Sequence, residues 1–184
     1  MRQNDIPNNI SPIIEDHDII STCEAKVHLQ LANGKLTQGF IVYFAEYNRL
    51  LKHYDYIMTL YFSNEHLTSR SHNYYCALRD IRAWLEHKHI LLLCKASQPN
   101  VFVDEQLEHS IYAYEIVGGR VNSSALVSLL ARADVSQLGY VEEQDNFVEN
   151  YLTQRGTEQE TSTRQKRRAR VDANVNATTP QFCF

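Results

Sequence analysis

The stretch Tyr75–Ala96 constrains the fold of this chain more than any other part of it. In its first part, YCALRDIRAWLEHKH, Leu78, Ile81 and Leu85 recur at the spacing of one helix face. Its second part, Ile90–Cys94, is four aliphatic residues and a thiol, a run of the length of a buried strand. A helix that leads directly into a buried strand predicts a domain in which helices pack on a sheet.

The flanks of this helix are also predictable. Ser71 or Asn73 can cap its N-terminus, because both side chains accept hydrogen bonds from free backbone N–H groups. Ala77 and Trp84 flank the apolar face. The remaining polar side chains are expected on the solvent face: Arg79, Asp80, Arg82 and Glu86.

Upstream of the helix, the pattern is that of strands. CEAKVHLQLANGKLTQGFIVYFAEY contains two strand-like runs around Asn33-Gly34, and Asn-Gly between such runs indicates a hairpin with a type I′ turn. The second run, Phe40–Phe44, is apolar on both sides and should lie inside the sheet. A third strand is expected at Asp55–Ser63, followed by a polar loop, NEHLTSRSHN.

Downstream, a short extended piece at Val101–Val103 and a strand at Ile111–Gly119 are predicted. Ser123 or Ser124 can cap a short helix. VEEQDNFVENYLTQR reads as a longer helix with one apolar face, formed by Val141, Phe147, Val148, Tyr151 and Leu152.

The order β-β-β-α-β-β-α-α predicts an α+β fold, with a mostly antiparallel sheet of about five strands and helices packed on one face. Residues 1–20 are expected to be an extended lead-in and residues 21–155 a single domain. Residues 156–184 lose all apolar periodicity and are expected to be a disordered basic tail.

Composition limits the class of protein. The net charge is −4, but residues 1–155 carry 13 Lys and Arg against 19 Asp and Glu, so an acidic body precedes a small basic tail. No apolar run approaches the roughly 18 residues that span a bilayer, and no signal peptide is recognisable. The four cysteines have no metal-binding spacing. We therefore expect a cytoplasmic protein without membrane contact and with reduced thiols.

Two groups of residues are candidates for catalysis or metal binding. His87 and His89 flank Lys88, but alternate helix residues diverge, so these imidazoles share a metal only if the helix has already ended. Cys94 could be a nucleophile, yet a thiol in a buried strand with Lys95 on the opposite face is more typical of core packing. We predict no metal, no cofactor and no catalytic residue.

The connection after the buried strand is the better candidate for binding. It carries three carboxylates, and the following strand carries two of the eleven tyrosines. Aromatic side chains surrounded by charge are typical of protein interfaces. Paired carboxylates can also perform acid–base chemistry when their pKa values are split. The predicted partner-binding residues are Asp104, Glu105, Glu108, Tyr112 and Tyr114.

The tail offers a different kind of contact. The segment Arg164–Arg170, RQKRRAR, has five cationic side chains in seven residues. Such a segment can bind phosphate backbones or act as a nuclear localisation signal. It lacks interleaved aromatic residues and follows an acidic body, so a solvated tail is the simpler interpretation.

Residues 76–155, about half of the chain, contain the pattern A-L-x-x-I-R-x-x-L-E, then L-C-x-x-A, N-V-aromatic and E-E-Q-x-x-F. In this pattern the chain resembles a group of small uncharacterised bacterial proteins. Where the relatives have Pro-Ser-Gly-Met, this chain has Val103, Asp104 and Glu105, and Lys95-Ala96 replaces their glycine-containing strand end. The matching residues are Ala77, Leu78, Ile81, Arg82, Leu85, Glu86, Leu93, Cys94, Ala96, Asn100, Val101, Phe102, Ala113, Tyr114, Glu142, Glu143, Gln144, Phe147 and Leu152.

This resemblance implies a bacterial cytosolic α+β protein and carries no settled activity. Immunity proteins that neutralise toxins share the size and acidity of this chain, an analogy at the level of the fold. The sequence thus favours a non-catalytic binding module, immunity-like in the sense of occluding a basic protein partner. The alternatives are a small hydrolase using Cys94 or the carboxylates at 104–108, and nucleic-acid contact through the tail.

Overall fold

The computed structural model describes residues 17–155 and has an α+β fold, as predicted. The lead-in up to residue 16 and the tail 156–184 lie outside the described residues. In chain order the elements are β1 (His17–Gln30), β2 (Leu36–Asn48), β3 (His53–Phe62), β4 (Glu65–Ser71), α1 (Tyr74–His87), β5 (Leu91–Leu92), β6 (Val101–Phe102), β7 (Tyr112–Val117), β8 (Arg120–Val121), β9 (Val127–Ser128) and α2 (residues 141–155).

The main sheet has five antiparallel strands in the order β4-β3-β2-β1-β5. Strand β2 lies at its centre, as the apolar run Phe40–Phe44 predicts. Alternate residues of β2, such as Ile41 and Ala45, point to the inner face that α1 covers. The opposite, outer face carries Phe40 and Tyr61, which stack with ring centroids 4.9 Å apart.

Helix α1 forms for the predicted reasons. The side chain of Asn73 accepts a hydrogen bond from the backbone N–H of Cys76 at 2.7 Å and caps the first turn. Leu78, Ile81 and Leu85 are buried against the inner face of the sheet. The prediction that Arg82 faces solvent is wrong, since only 2% of it is exposed.

A second, small sheet and α2 lie beyond α1. Strands β6, β7 and β8 are antiparallel neighbours, and β9 also pairs with β7. Helix α2 packs Tyr151 and Val148 against Phe102 and Ile116. Its existence is confirmed, but its predicted apolar face is only partly correct, because the exposed fraction is 39% for Phe147 and 52% for Leu152. The buried face is centred instead on Val141, Gln144, Val148 and Tyr151.

Two tight turns differ from the expectation. The hairpin at Asn33-Gly34 is present, but only Gly34 has a positive φ, of 79°. With the Gly34 N–H donating to the Leu31 carbonyl, the connection is a three-residue loop and not a type I′ turn. The type I′ signature, two consecutive positive φ angles, occurs at Ser63 and Asn64 instead.

That turn explains the first of two wrong element predictions. The segment expected to be a polar loop is β4, because the turn at Ser63 and Asn64 folds it back onto β3. The region after Ser124 forms β9 and no helix, since Val127 and Ser128 pair with β7. The strand predicted at Ile90–Cys94 is present but shorter, with two residues in β5. At the other end of the domain, β1 begins at His17, four residues before the predicted start.

No helix within residues 17–155 has the length and apolar character needed to cross a bilayer.

Candidate functional site

An aromatic cluster occupies the inner face of the main sheet beside the start of α1. We call it the tyrosine cluster. Tyr74 packs edge-on against Tyr43 and Tyr56, with ring centroids 5.4 and 4.6 Å away. Tyr54 extends the cluster toward Tyr47, 4.9 Å away. The members joined by ring contacts are Tyr43 and Tyr47 from β2, Tyr54 and Tyr56 from β3 and Tyr74 from α1, and Tyr112 from β7 lies near Tyr43.

Four of these positions, those on β2 and β3, follow from strand register. Tyr43 pairs with Met58, Ala45 with Tyr56 and Tyr47 with Tyr54, so one face of the β2–β3 ladder repeats aromatic rings. Because side chains alternate along a strand, tyrosines two residues apart are presented on the same side. Sheet geometry therefore brings these four rings together, and Tyr74 joins them through the packing of α1.

The cluster has buried and exposed members. Tyr56 and Tyr74 are 4% and 8% exposed, whereas Tyr54 and Tyr112 are 40% and 47% exposed. Exposed rings that rest on buried rings lose little side-chain freedom when a partner binds. Such rings are suited to serve as interface anchors.

Burial keeps the phenols of the cluster protonated. It raises the pKa of Tyr74 to about 12, with further contributions from Tyr56, Cys23 and Tyr43. Burial, followed by the neighbouring Cys23, also raises the pKa of Tyr43. Burial and the neighbouring Tyr54 and Glu108 raise the pKa of Tyr56. All three hydroxyls are thus neutral near pH 7 and can donate hydrogen bonds.

The predicted carboxylate loop meets this cluster through His109. The Tyr56 hydroxyl lies 2.7 Å from His109 Nδ1, and the two rings are stacked at 5.7 Å. The neighbouring Glu108 forms an ion pair with His109 Nε2 at 3.1 Å when that ring is protonated. This contact brings the carboxylate of Glu108 to the edge of the tyrosine cluster.

The five predicted binding residues separate into two places. Glu108 and Tyr112 lie at the tyrosine cluster, where Tyr112 is close enough to raise the pKa of Tyr43. Asp104 and Tyr114 instead line an open cavity of about 410 Å³, and Glu105 is exposed in the turn between β6 and β7.

The cavity beside Asp104 has a mixed character. Arg120 and Arg155 line it together with Tyr114 and Tyr151, and the guanidinium of Arg155 lies 5.9 Å from the Tyr151 ring centroid. The Tyr114 hydroxyl contacts Gln106 Oε1 at 3.4 Å. The cavity is lined by both cations and a carboxylate, so the charge of its lining does not favour one class of ligand.

Cys94 lacks the environment of a nucleophile. It is fully buried, and this burial raises its pKa. Its Sγ lies 3.4 Å from the hydroxyl of Ser97, and Lys95 points away to Glu115 at 3.1 Å. The interpretation of Cys94 as a core residue agrees with these contacts.

A different cysteine lies beside an imidazole. Cys76 Sγ is 3.5 Å from His72 Nε2, at the start of α1. Sequence reasoning did not single out this pair, although its i, i+4 spacing was visible. Burial is the largest influence on Cys76 and raises its pKa, so the thiol form prevails near neutral pH.

The HKH segment does not form a metal site. His87 is the last residue of α1 and His89 follows with a φ of 57°, while the ammonium of Lys88 lies 3.9 Å above the Trp84 ring. Within residues 17–155, no three His, Cys, Asp or Glu side chains gather in a geometry that could hold a metal ion. The segment Arg164–Arg170 lies outside the described residues.

The structure also contains a buried polar network that sequence reasoning missed. Arg82 donates to the carbonyls of Ala96 and Gly139 and to the side chain of Gln144. Gln144 in turn donates to the carbonyls of Gln98 and Val101 at 2.8 and 2.7 Å. Glu86 accepts from the backbone N–H of Val141 at 2.9 Å and so caps α2.

Several residues that carry the bacterial resemblance are members of this network. Arg82, Glu86, Ala96 and Gln144 all belong to it, and Val101 receives one of its bonds. In this chain, these residues hold α1, the turn after β5 and α2 together.

No protein-family model matches this chain, and no curated protein matches it significantly.

Proposed function

We propose that this chain is a non-catalytic binding module whose tyrosine cluster and neighbouring carboxylate loop engage a basic protein partner. The observation that carries the proposal is the contact of exposed Tyr54 with buried Tyr56, which in turn packs on buried Tyr74. Exposed Tyr112 lies near Tyr43 of the same cluster. Rigid, half-exposed tyrosines are the side chains that protein interfaces use as anchors.

The shape of this surface favours a macromolecule over a small molecule. Tyr43 and Tyr47 are half-buried and Tyr54 is exposed along adjacent strands, so the rings form a broad sheet surface. Small-molecule sites are normally concave and enclose most of their ligand. A sheet surface of this kind instead suits a partner that buries it by shape complementarity.

Charge supports a basic partner. Asp104 and Glu105 are exposed and form no ion pair with another described residue, and Glu108 lies at the border of the cluster. Residues 1–155 carry 13 basic and 19 acidic side chains, a net charge of −6. A body of this charge accelerates encounter with a cationic surface and makes it sensitive to salt. An immunity protein that occludes a basic toxin is one function of this class.

The decisive experiment is a quantitative affinity purification from the source cell. The bait proteins are the wild-type chain, the double variant Tyr54→Ala/Tyr112→Ala, and the matched control Tyr61→Ala on the outer face. Tyr61 is 38% exposed, so its loss removes a similar ring from the other side of the sheet. We expect a basic protein to be recovered with the wild type and the control but reduced at least about tenfold with the double variant.

A charge variant tests the second part of the proposal. Asp104→Lys/Glu105→Lys should slow association with the recovered protein and flatten its dependence on salt, while dissociation changes little. Recovery of the same proteins by all baits would refute a role for the tyrosine cluster. An acidic or neutral partner would refute the charge argument alone.

A further inference from the structure

The chain leaves α2 beside the carboxylate loop, residues 104–110. Arg155, the last residue of α2, lines the same cavity of about 410 Å³ as Asp104, the first residue of that loop. The loop begins with a turn in which the Leu107 N–H donates to the Asp104 carbonyl at 3.0 Å. Its far end contacts the tyrosine cluster through His109. The tail that follows Arg155 therefore starts at one end of the carboxylate loop, and the tyrosine cluster lies at the other end.

The carboxylates of this loop are exposed and poorly neutralised. Within residues 17–155, no cation forms an ion pair with Asp104 or Glu105, although two guanidiniums line the cavity beside Asp104. Glu108 is paired with His109, and 43% of its side chain remains exposed. Three carboxylates within five residues thus present negative charge to solvent next to the start of the tail.

The tail brings the opposite charge within reach of this loop. Arg164–Arg170, called the basic segment below, follows Arg155 after a spacer of eight residues. Eight extended residues span up to about 29 Å, whereas Glu108, four residues after Asp104, lies at most about 14 Å from it. The basic segment can therefore reach every carboxylate of the loop. A short flexible tether gives an effective concentration in the millimolar range, so even weak contacts form.

We propose that the basic segment docks in cis on the carboxylate loop and shields it from a basic partner. Five cations of the segment match the three carboxylates, and residues 156–184 carry a net charge of +2 against −6 for residues 1–155. Arginine side chains also stack on aromatic rings, and Tyr54 and Tyr112 of the neighbouring cluster are exposed. The contact stands without a partner, whereas the shielding rests on the proposed function. The tail thereby acts as an intramolecular competitor that a partner displaces.

The acidic residues of α2 are a poorer match for the basic segment. Asp145 is already paired with Arg79, and Glu143 accepts a backbone hydrogen bond at the start of the helix. Glu142 and Glu149 are exposed, but seven residues separate them by about 10.5 Å of helix. The carboxylate loop is the denser group of exposed negative charge near the start of the tail.

Paramagnetic relaxation enhancement in the full chain tests the contact. A nitroxide on Ala169→Cys, in a Cys23→Ser/Cys76→Ser/Cys183→Ser background, lies within the basic segment, and Cys94 stays because it is fully buried. We expect the amide signals of residues 104–109 to lose at least about half of their intensity at about 50 mM salt and to recover at about 500 mM, because salt screens the contact. A mixture of labelled chain and unlabelled, isotope-enriched chain should show no such loss. Equal loss in that mixture would overturn docking in cis.

Two matched variants separate charge from proximity. Replacing the five cations of the basic segment by Gln keeps the length of the tether and the position of the label. Asp104→Asn/Glu105→Gln/Glu108→Gln removes the charge of the loop at exposed or half-buried positions. Each variant should weaken the signal loss of residues 104–109 at least about threefold. Signal loss that persists in either variant, or that centres on Glu142 and Glu149, would overturn the proposal.

The shielding has a separate measurement. The five-Gln variant should bind the basic protein recovered by affinity purification at least about threefold more tightly than the wild type, chiefly through faster association. Equal binding despite signal loss in the loop would overturn the shielding. Signal loss without any recovered partner would leave the tail contact in place and count against the proposed function. A partner that binds both chains equally, with no signal loss in the wild type, would remove the tail contact and leave the proposed function intact.

Discussion

Arg82 of α1 donates a buried hydrogen bond to the side chain of Gln144 in α2, 62 residues later in the chain. The same guanidinium reaches the carbonyl of Gly139 at 3.1 Å. A buried cation is tolerated only when acceptors surround it, and here carbonyls and an amide oxygen provide them. The Glu86 carboxylate, 3.4 Å away, supplies the opposite charge. This contact joins α1 to α2.

Replacing Arg82 should destabilise the fold strongly. Arg82→Leu fills much of the volume but leaves the carbonyls of Ala96 and Gly139 without a donor. We expect a loss of about 3 kcal/mol in the free energy of unfolding, measured by urea denaturation. Arg79→Leu is the control. Arg79 is partly exposed and paired with Asp145, so its loss should change stability by less than about 1 kcal/mol. Equal losses at both positions would contradict the special role of Arg82.

The coupling between Arg82 and Gln144 can be measured separately. Gln144→Ala removes an acceptor for Arg82 and the donors to Gln98 and Val101. In a double-mutant cycle with Arg82→Leu, we expect an interaction energy of at least about 1 kcal/mol, because the two changes disrupt one network. Additive effects would show that the two residues act independently.

The sequence predicted the class of fold because hydrophobic periodicity records which faces are buried. Leu78, Ile81 and Leu85 repeat at helix spacing, and the apolar run at Phe40–Phe44 marks the central strand. The buried polar network is an exception to this link between hydrophobic periodicity and burial. Arg82 and Gln144 are polar, so periodicity alone assigns them to solvent, and only the tertiary contacts reveal their carbonyl partners.

The candidate site was predictable only in part. The high number of tyrosines was visible, and Glu108 and Tyr112 were singled out. Their neighbours Tyr54 and Tyr56 could not be placed, because the contact depends on pairing between β2 and β3 and on the long-range bond from Tyr56 to His109. Strand register is set by turns and by the buried face together, and the turn at Ser63 and Asn64 carries a weak sequence signal.

That turn gives a prediction of increased stability. Ser63 and Asn64 have φ angles of 45° and 66°, a conformation that strains most side chains. Ser63→Asn/Asn64→Gly introduces the residues that type I′ turns prefer, and we expect it to raise the free energy of unfolding by about 1 kcal/mol. Asn64→Ala is the opposing control and should lower it. A double variant no more stable than the wild type in thermal unfolding would contradict this account of β4.

Gly39 provides a test of packing in the centre of the sheet. A Cβ added there would lie 2.6 Å from the backbone carbonyl oxygen of Tyr61, and neither strand can move without disturbing the ladder. Gly39→Ala should therefore destabilise the protein by about 2 kcal/mol or more. At Gly34, whose φ is 79° but where nothing lies within 4 Å, Gly34→Ala should cost only about 1 kcal/mol. Denaturation of both variants separates steric clash from backbone strain.

The tyrosine phenols predict how stability changes at high pH. Burial raises the pKa of Tyr74 and Tyr75 from 10.0 to about 12. In the unfolded chain these phenols ionise near pH 10, whereas in the folded protein they keep their protons until about pH 12. Folding therefore retains more protons in this window, and the stabilising contribution, complete below pH 10, is lost as pH rises through it. We expect the free energy of unfolding to fall from pH 10 to pH 12, measured by urea denaturation at several pH values.

In the double variant Tyr74→Phe/Tyr75→Phe this fall should be shallower. The variant Tyr140→Phe, which removes a hydroxyl from an exposed ring, serves as the control. Parallel curves for the wild type and the double variant would show that these two phenols do not account for the loss.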